Sequence, residues 1–85
     1  GETMNIAYQK AQKAIVTLKS AIYDVLSNAP DKGMSNADIG RTLGIYTGHI
    51  GHEGHIPRTM LAIMESEGVV EQNKKDKLWK LKKYH

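Results

Sequence analysis

Three histidines in the stretch GHIGHEGHI, a Gly-His-x triplet repeated three times, have the clearest chemical potential in the chain. Imidazole nitrogens bind zinc, nickel and copper, so His49, His52 and His55 could supply ligands to a metal ion. The 85-residue chain contains no cysteine, and a fourth ligand would have to come from Glu53, His85 or water. A metal site is therefore one interpretation of the repeat.

The same repeat has two other interpretations. Its imidazoles, its glycine amides and the preceding Thr47 could contact the phosphates of a nucleic acid, because glycine allows the backbone to approach closely. It could also be a connector whose histidines bind nothing specific. The residues alone leave the three interpretations open, and we expect a chain without a bound metal or other cofactor.

The acidic residues do not form a recognisable catalytic group. Asp24, Asp38 and the pair Glu65 and Glu67 fall on separate predicted elements or on a solvated helix end. The sequence also lacks the Gly-Lys-Ser/Thr motif of phosphate-binding loops. We therefore expect that this chain is not an enzyme, although it could be a non-catalytic domain of one.

Length and charge limit the class of protein. A chain of 85 residues can bury one modest core. It has no apolar run of membrane-spanning length and no secretory signal, so we expect a cytoplasmic protein without a membrane partner, nucleoid-associated if bacterial. Residues 1–73 hold six Lys or Arg against eight Asp or Glu, whereas residues 74–85 hold six Lys against one Asp. The basic end is either a solvated tail or a surface for an anionic partner.

The first predicted element is a long amphipathic helix over about residues 5 to 29, ended by Pro30. The helix would be ~37 Å long, and the core of a domain of this size cannot cover the apolar side of the whole helix. Its first turns must therefore bend back, fray or contact something else. We predict a helical extension at residues 1–13 and one domain at residues 14–85.

The next two predicted helices are shorter. Ser35 is a predicted N-cap of a helix of about two turns that ends at Gly44. Its predicted buried residues are Ala37, Ile39 and Leu43. The third helix runs from about residue 55 to 67, with an apolar side made of Ile56, Met60, Leu61, Ile63 and Met64. The outward side carries His55, Arg58, Thr59, Ala62, Glu65 and Ser66.

The hydrophobic period changes from 3.6 to 2 after Gly68. This change predicts strands at residues 69–72 and 78–82, joined by a loop at residues 73–77. Trp79 shares a face with Leu81 and is predicted to cover the core rather than to stack on bases. The predicted fold class is mainly α with a small β-hairpin, that is, α+β.

The order and spacing of these segments resemble the winged helix-turn-helix family of DNA-binding domains. The resemblance covers about residues 14 to 82, and the runs that carry it are MSNADIGRTLG, PRTMLAIMESEGVV and LWKL. It implies a three-helix winged helix-turn-helix fold. It also implies that helix 55–67 enters the DNA major groove and that the loop at 73–77, the wing, lies along the backbone or in the minor groove.

The resemblance implies sequence-specific binding of double-stranded DNA, in a small transcription regulator or in the DNA-recognition domain of a larger enzyme such as a restriction endonuclease. Arg58 can donate twice to guanine, and Thr59 can bond a base or cover a thymine methyl group. Lysines suit phosphates, which position the protein. The expected DNA contacts, including the Gly-His loop, are Thr47, His49, His52, His55, Arg58, Thr59, Lys74, Lys75 and Lys77.

Two features of the sequence depart from a simple winged helix that binds DNA: the length of one connecting segment and an apolar stripe near the N-terminus. The segment from Ile45 to Gly54 is about ten residues long where the family uses a few, so either the third helix starts earlier or a loop is inserted. Its glycines favour the loop, because Gly is costly inside a helix. The apolar stripe of Met4, Tyr8 and Ala11 supports an alternative function, a protein-assembly module that contacts its parent protein or forms a homodimer.

Overall fold

The computed structural model describes residues 2–48 and 53–83, which form three α-helices and a two-stranded antiparallel sheet. The elements are α1 (Glu2–Ser27), α2 (Asn36–Leu43), α3 (His55–Ser66), β1 (Val70–Gln72) and β2 (Trp79–Leu81). The predicted α+β class, mainly helical with a small hairpin, is confirmed. No described helix is long and apolar enough to cross a membrane.

The core forms where the C-terminal half of α1 meets the other elements. Its buried apolar side chains are Ile22, Leu26, Ile39, Met60, Leu61, Met64, Val70 and Trp79. Each fully buried aliphatic side chain contributes about 1.5–3 kcal/mol through removal of apolar surface from water. Trp79 belongs to this cluster, as predicted.

The N-terminal half of α1 lies beyond the core. Ile22 and Leu26, near the other end of the helix, are its buried residues, whereas every residue from 2 to 14 is exposed. The first turns remain helical, and the expectation that the core cannot cover the whole helix is confirmed. Helical geometry at these turns is sustained by the run of Ala, Gln and Lys, which are strong helix formers.

Both ends of α2 follow from local chemistry. The Ser35 hydroxyl oxygen accepts a hydrogen bond from the Asp38 backbone N–H at 3.1 Å. Gly44 ends the helix in the left-handed conformation with φ 72°. Both predicted caps are confirmed. Ile39 is fully buried, while Ala37 and Leu43 are half-buried.

The bounds predicted for α3 are confirmed to within one residue, but one predicted core residue is wrong. Ile56 is 44% exposed, whereas the neighbouring Pro57 is fully buried. The reason is the approach of α3 to α2: a Cβ placed on Gly40 would lie 3.1 Å from Pro57 Cγ. The helix therefore rests on α2 through the proline ring, and Ile56, ~100° around the helix, points to solvent.

The hairpin pairs Val70 with Leu81 and Gln72 with Trp79. Met34 adds an isolated bridge on the other edge of β2, with hydrogen bonds of 2.9 and 2.7 Å to Trp79. A single bridging residue has no alternating pattern from which a strand could be predicted. The bridge depends on Gly33, whose φ is 96° and at which a Cβ would collide with the Trp79 carbonyl oxygen.

Candidate functional site

The outward face of α3 holds three of the predicted contact residues. His55, Arg58 and Thr59 are all exposed, and Ala62 and Ser66 continue the same exposed face. The opposite side of the helix is fixed in the core by its four buried residues: Pro57, Met60, Leu61 and Met64. The structure therefore presents this polar face on a firmly held helix.

The loop at residues 73–77, named the lysine loop below, is ordered by its own hydrogen bonds. Asn73 Oδ1 accepts from the Lys75 backbone N–H at 2.8 Å, and the Lys77 N–H donates to the Asn73 carbonyl oxygen at 2.8 Å. Asp76 Oδ1 accepts from the Leu78 N–H at 2.9 Å. These bonds fix the backbone that carries three exposed lysines: Lys74, Lys75 and Lys77.

The cationic side chains differ in whether a carboxylate neutralises them. The pairs present are Lys19 with Glu67 at 2.7 Å, Arg41 with Asp38 at 3.6 Å, and Lys80 with Glu71 at 3.9 Å. Within residues 2–48 and 53–83, no carboxylate pairs with Arg58 or with the lysines of the lysine loop. Their donors are available to an external anion, for which charge-assisted hydrogen bonds are strong.

The segment between α2 and α3 is closed at its base. The Gly54 N–H donates to the Thr47 carbonyl oxygen at 3.1 Å, and Asn36 Nδ2 donates to the Gly54 carbonyl oxygen at 3.2 Å. Thr47 is exposed beside this closure. Because α3 begins at His55, an earlier start of the helix is wrong. The middle of the predicted loop falls on residues 49–52, which lie outside the described residues.

Tyr46 and Arg41 support this base, and neither was among the site residues predicted from the sequence. A Cβ on Gly40 or Gly54 would lie within 2.9 Å of Tyr46, so the tyrosine packs directly on both glycines. The Arg41 guanidinium carbon lies 4.7 Å from the ring centroid, within the range of a cation–π contact. A glycine inside a short helix was the available signal, because it marks a close approach.

The metal interpretation involves residues that are only partly described. His49, His52 and His85 lie outside the described residues, so neither their metal nor their DNA role has a geometry here. Among residues 2–48 and 53–83, no group of three or more His, Asp or Glu side chains is arranged to hold a metal ion. The remaining candidate contacts are those on α3, at Thr47 and in the lysine loop.

The exposed face of α3 and the lysine loop are attached to the same hydrophobic core. The Val69 N–H donates to the Met64 carbonyl oxygen at 2.9 Å, so the start of the hairpin is hydrogen-bonded to the last turns of α3. Val70 and Trp79 of the hairpin share a buried cluster with Leu61 of α3.

Comparisons with family models, curated proteins and solved structures gave no significant match.

Proposed function

We propose that the chain is a winged helix-turn-helix domain that binds double-stranded DNA with sequence specificity. The observation that carries the proposal is the set of exposed cations, Arg58 and the lysines of the lysine loop, which have no carboxylate partner in the described chain. They lie on two elements joined by one core. The element order α1, α2, α3 and hairpin also supports the proposal, because the family resemblance rests on that order.

In this proposal α3 enters the major groove, which is wide enough for a helix. Arg58 donates to O6 and N7 of a guanine, and Thr59 contacts a neighbouring base edge or a thymine methyl group. Ala62 is exposed and small, so the helix can approach the bases closely. His55 belongs to the same face, and Thr47 lies beside the start of the helix. The lysine loop contacts phosphates, which fix the register on the duplex.

Such a domain serves either a small transcription regulator or the recognition part of a larger enzyme, such as a restriction endonuclease. The two settings share one binding chemistry. In both, specificity comes from α3 and most of the salt-dependent affinity comes from lysines that displace counterions. The proposal assigns no catalytic step to this chain.

The test is titration of duplex DNA at several salt concentrations. Arg58→Ala is expected to cost about 1–3 kcal/mol and to relax the preference for one base pair. Lys74→Ala with Lys75→Ala is expected to weaken binding to all sequences and to lower the salt slope by about two. Lys10→Ala with Lys13→Ala removes the same charge from the exposed half of α1 and should leave the slope unchanged. The proposal is abandoned if no duplex binds at low salt, or if all variants bind alike.

A second candidate function is protein assembly through the N-terminal half of α1. In that half Met4 is 73% exposed and Tyr8 is 64% exposed, on the stripe that continues into the core further along the helix. Exposed apolar surface of this kind marks interaction sites. If the partner is a second copy, sedimentation should show a dimer that Tyr8→Asp abolishes. Gln9→Asp adds the same charge ~100° around the helix and is the matched control.

A further inference from the structure

An open cleft lies between the C-terminal end of α1, the turn that follows it and β2. Its volume is about 540 Å³. Tyr23 and Leu26 contribute from α1, Pro30 and Asp31 from the turn, and residues 80–83 from β2 and the chain after it. None of the contacts proposed for DNA lines this cleft.

One edge of β2 is unpaired where it borders the cleft. β2 and its flanks bond to β1 through the Leu78 carbonyl oxygen and the Lys82 N–H, and Trp79 bonds to Met34 on the opposite edge. Alternation along an antiparallel strand directs the N–H and C=O of Leu81 to the same edge as those of Trp79. In the described chain no backbone group bonds with Leu81 on that edge.

The edge is open because the chain before Met34 turns away. The Gly33 N–H donates to the Pro30 carbonyl oxygen at 2.8 Å, which closes a turn where a strand would have to continue. The bridge of Met34 therefore covers Trp79 alone. An unpaired strand edge is a template for a further strand, and Leu81 offers one donor and one acceptor to it.

The chemistry of the cleft favours a negatively charged partner. Lys80, Lys82 and Lys83 line it against a single carboxylate, Asp31. Lys80 Nζ forms an ion pair with Glu71 Oε1 at 3.9 Å. Lys82 and Lys83 are exposed and have no carboxylate partner in the described chain. The surface is thus positively charged along the unpaired edge.

The apolar part of the cleft gives a partner an anchoring point. Tyr23 is 49% exposed and separates the cleft from a second hollow of about 230 Å³. Val69 and Tyr23 line both hollows, and Met64 lies at the base of the smaller one. A half-exposed tyrosine between two hollows that each include apolar side chains is typical of the residues that dominate binding energy at protein interfaces.

We propose that this cleft binds an extended acidic segment of a partner protein, which adds as a strand to the open edge of β2. Backbone groups of the segment pair with the Leu81 N–H and C=O, as in other strand-addition complexes. Alternate side chains point to Lys80 and Lys82 on one face and toward Tyr23 and Leu26 on the other. A DNA duplex offers neither a strand edge nor apolar side chains for these hollows. The inference goes beyond the proposed function and does not depend on it.

The probe is a blocked octapeptide of alternating Glu and Val residues, added to the intact chain. Amide hydrogen exchange is measured by NMR at saturating peptide. The exchange rate of the Leu81 amide is expected to fall at least about tenfold, because this amide becomes hydrogen-bonded to the added strand. The Lys75 amide, in the lysine loop, should not change. The same octapeptide with Lys in place of Glu should not bind.

Variants test the anchoring and charged residues separately. Tyr23→Ala is expected to weaken binding of the acidic peptide by about tenfold. Val16→Ala, an exposed apolar residue about two turns away on α1, is the matched control. Lys82→Glu with Lys83→Glu should abolish binding, and Lys10→Glu with Lys13→Glu should not. Circular dichroism verifies that each variant is folded.

Three results would overturn the proposal. The acidic peptide does not bind, or it binds while the Leu81 amide of the unaltered chain stays unprotected, or duplex DNA protects that amide where the peptide does not. The first two results leave the DNA-binding proposal intact, because its variants lie on α3 and in the lysine loop. The third assigns this surface to nucleic acid.

Discussion

At the scale of single residues, Gly33 determines how closely the turn after α1 approaches β2. It has φ 96°, and a Cβ there would collide with the Trp79 carbonyl oxygen. Gly33→Ala is therefore expected to lower the free energy of unfolding by about 3 kcal/mol or more, through backbone strain and loss of the Met34 bridge. Urea denaturation measures this change.

Gly44→Ala is the matched control for that prediction. Gly44 also has a left-handed backbone, with φ 72°, but a Cβ there would meet nothing within 4 Å. Its replacement should cost only the strain of the left-handed conformation, about 1–2 kcal/mol. Equal losses in the free energy of unfolding for the two variants would show that the close approach at Gly33 contributes nothing to stability.

At the scale of elements, α2 depends on its N-cap. The Ser35 side chain satisfies the Asp38 N–H, one of the amides that a helix leaves without an internal partner. Ser35→Ala is expected to reduce the free energy of unfolding by about 1 kcal/mol, and Ser35→Asp to retain most of it. Ser20→Ala, at an exposed position within α1, should be nearly neutral. Thermal unfolding followed by circular dichroism distinguishes these outcomes.

The N-terminal half of α1 is expected to be dispensable for the stability of the domain. Residues 2–14 are all exposed, so their removal takes away little buried apolar surface. Deleting residues 1–10 should change the free energy of unfolding by less than about 0.5 kcal/mol while it lowers the helical signal. A large loss of stability would contradict the boundary predicted between residues 13 and 14.

At the scale of the whole molecule, the elements were predictable from the sequence because their signals are local. Ser35 with Asp38 marks the start of α2, and Gly44 marks its end, through hydrogen bonds and φ values that involve a few neighbouring residues. The apolar period of α3 and the strand pattern of LWKL are equally local. The exposed positions of Arg58 and Thr59 follow from the same helical period.

The contacts between elements were not predictable from local patterns. Ile56 fits the apolar stripe of α3, yet Pro57 occupies the core because it meets Gly40 of α2. The bridge of Met34 to Trp79 joins residues far apart in sequence. Tyr46 packs on Gly40 of α2 and on Gly54 before α3, so its position depends on how these two helices meet. Such pairings depend on the docking of helices, which a single sequence does not specify residue by residue.

The central claim is that α3 and the lysine loop together bind duplex DNA. The most direct measurement is backbone amide shift mapping of the intact chain with a random-sequence duplex at about 50 and about 200 mM salt. The predicted result is a set of shifts at Arg58, Thr59 and residues 73–77 that weakens steeply at the higher salt. Absence of shifts at low salt, or shifts confined to residues 2–14, would contradict the claim.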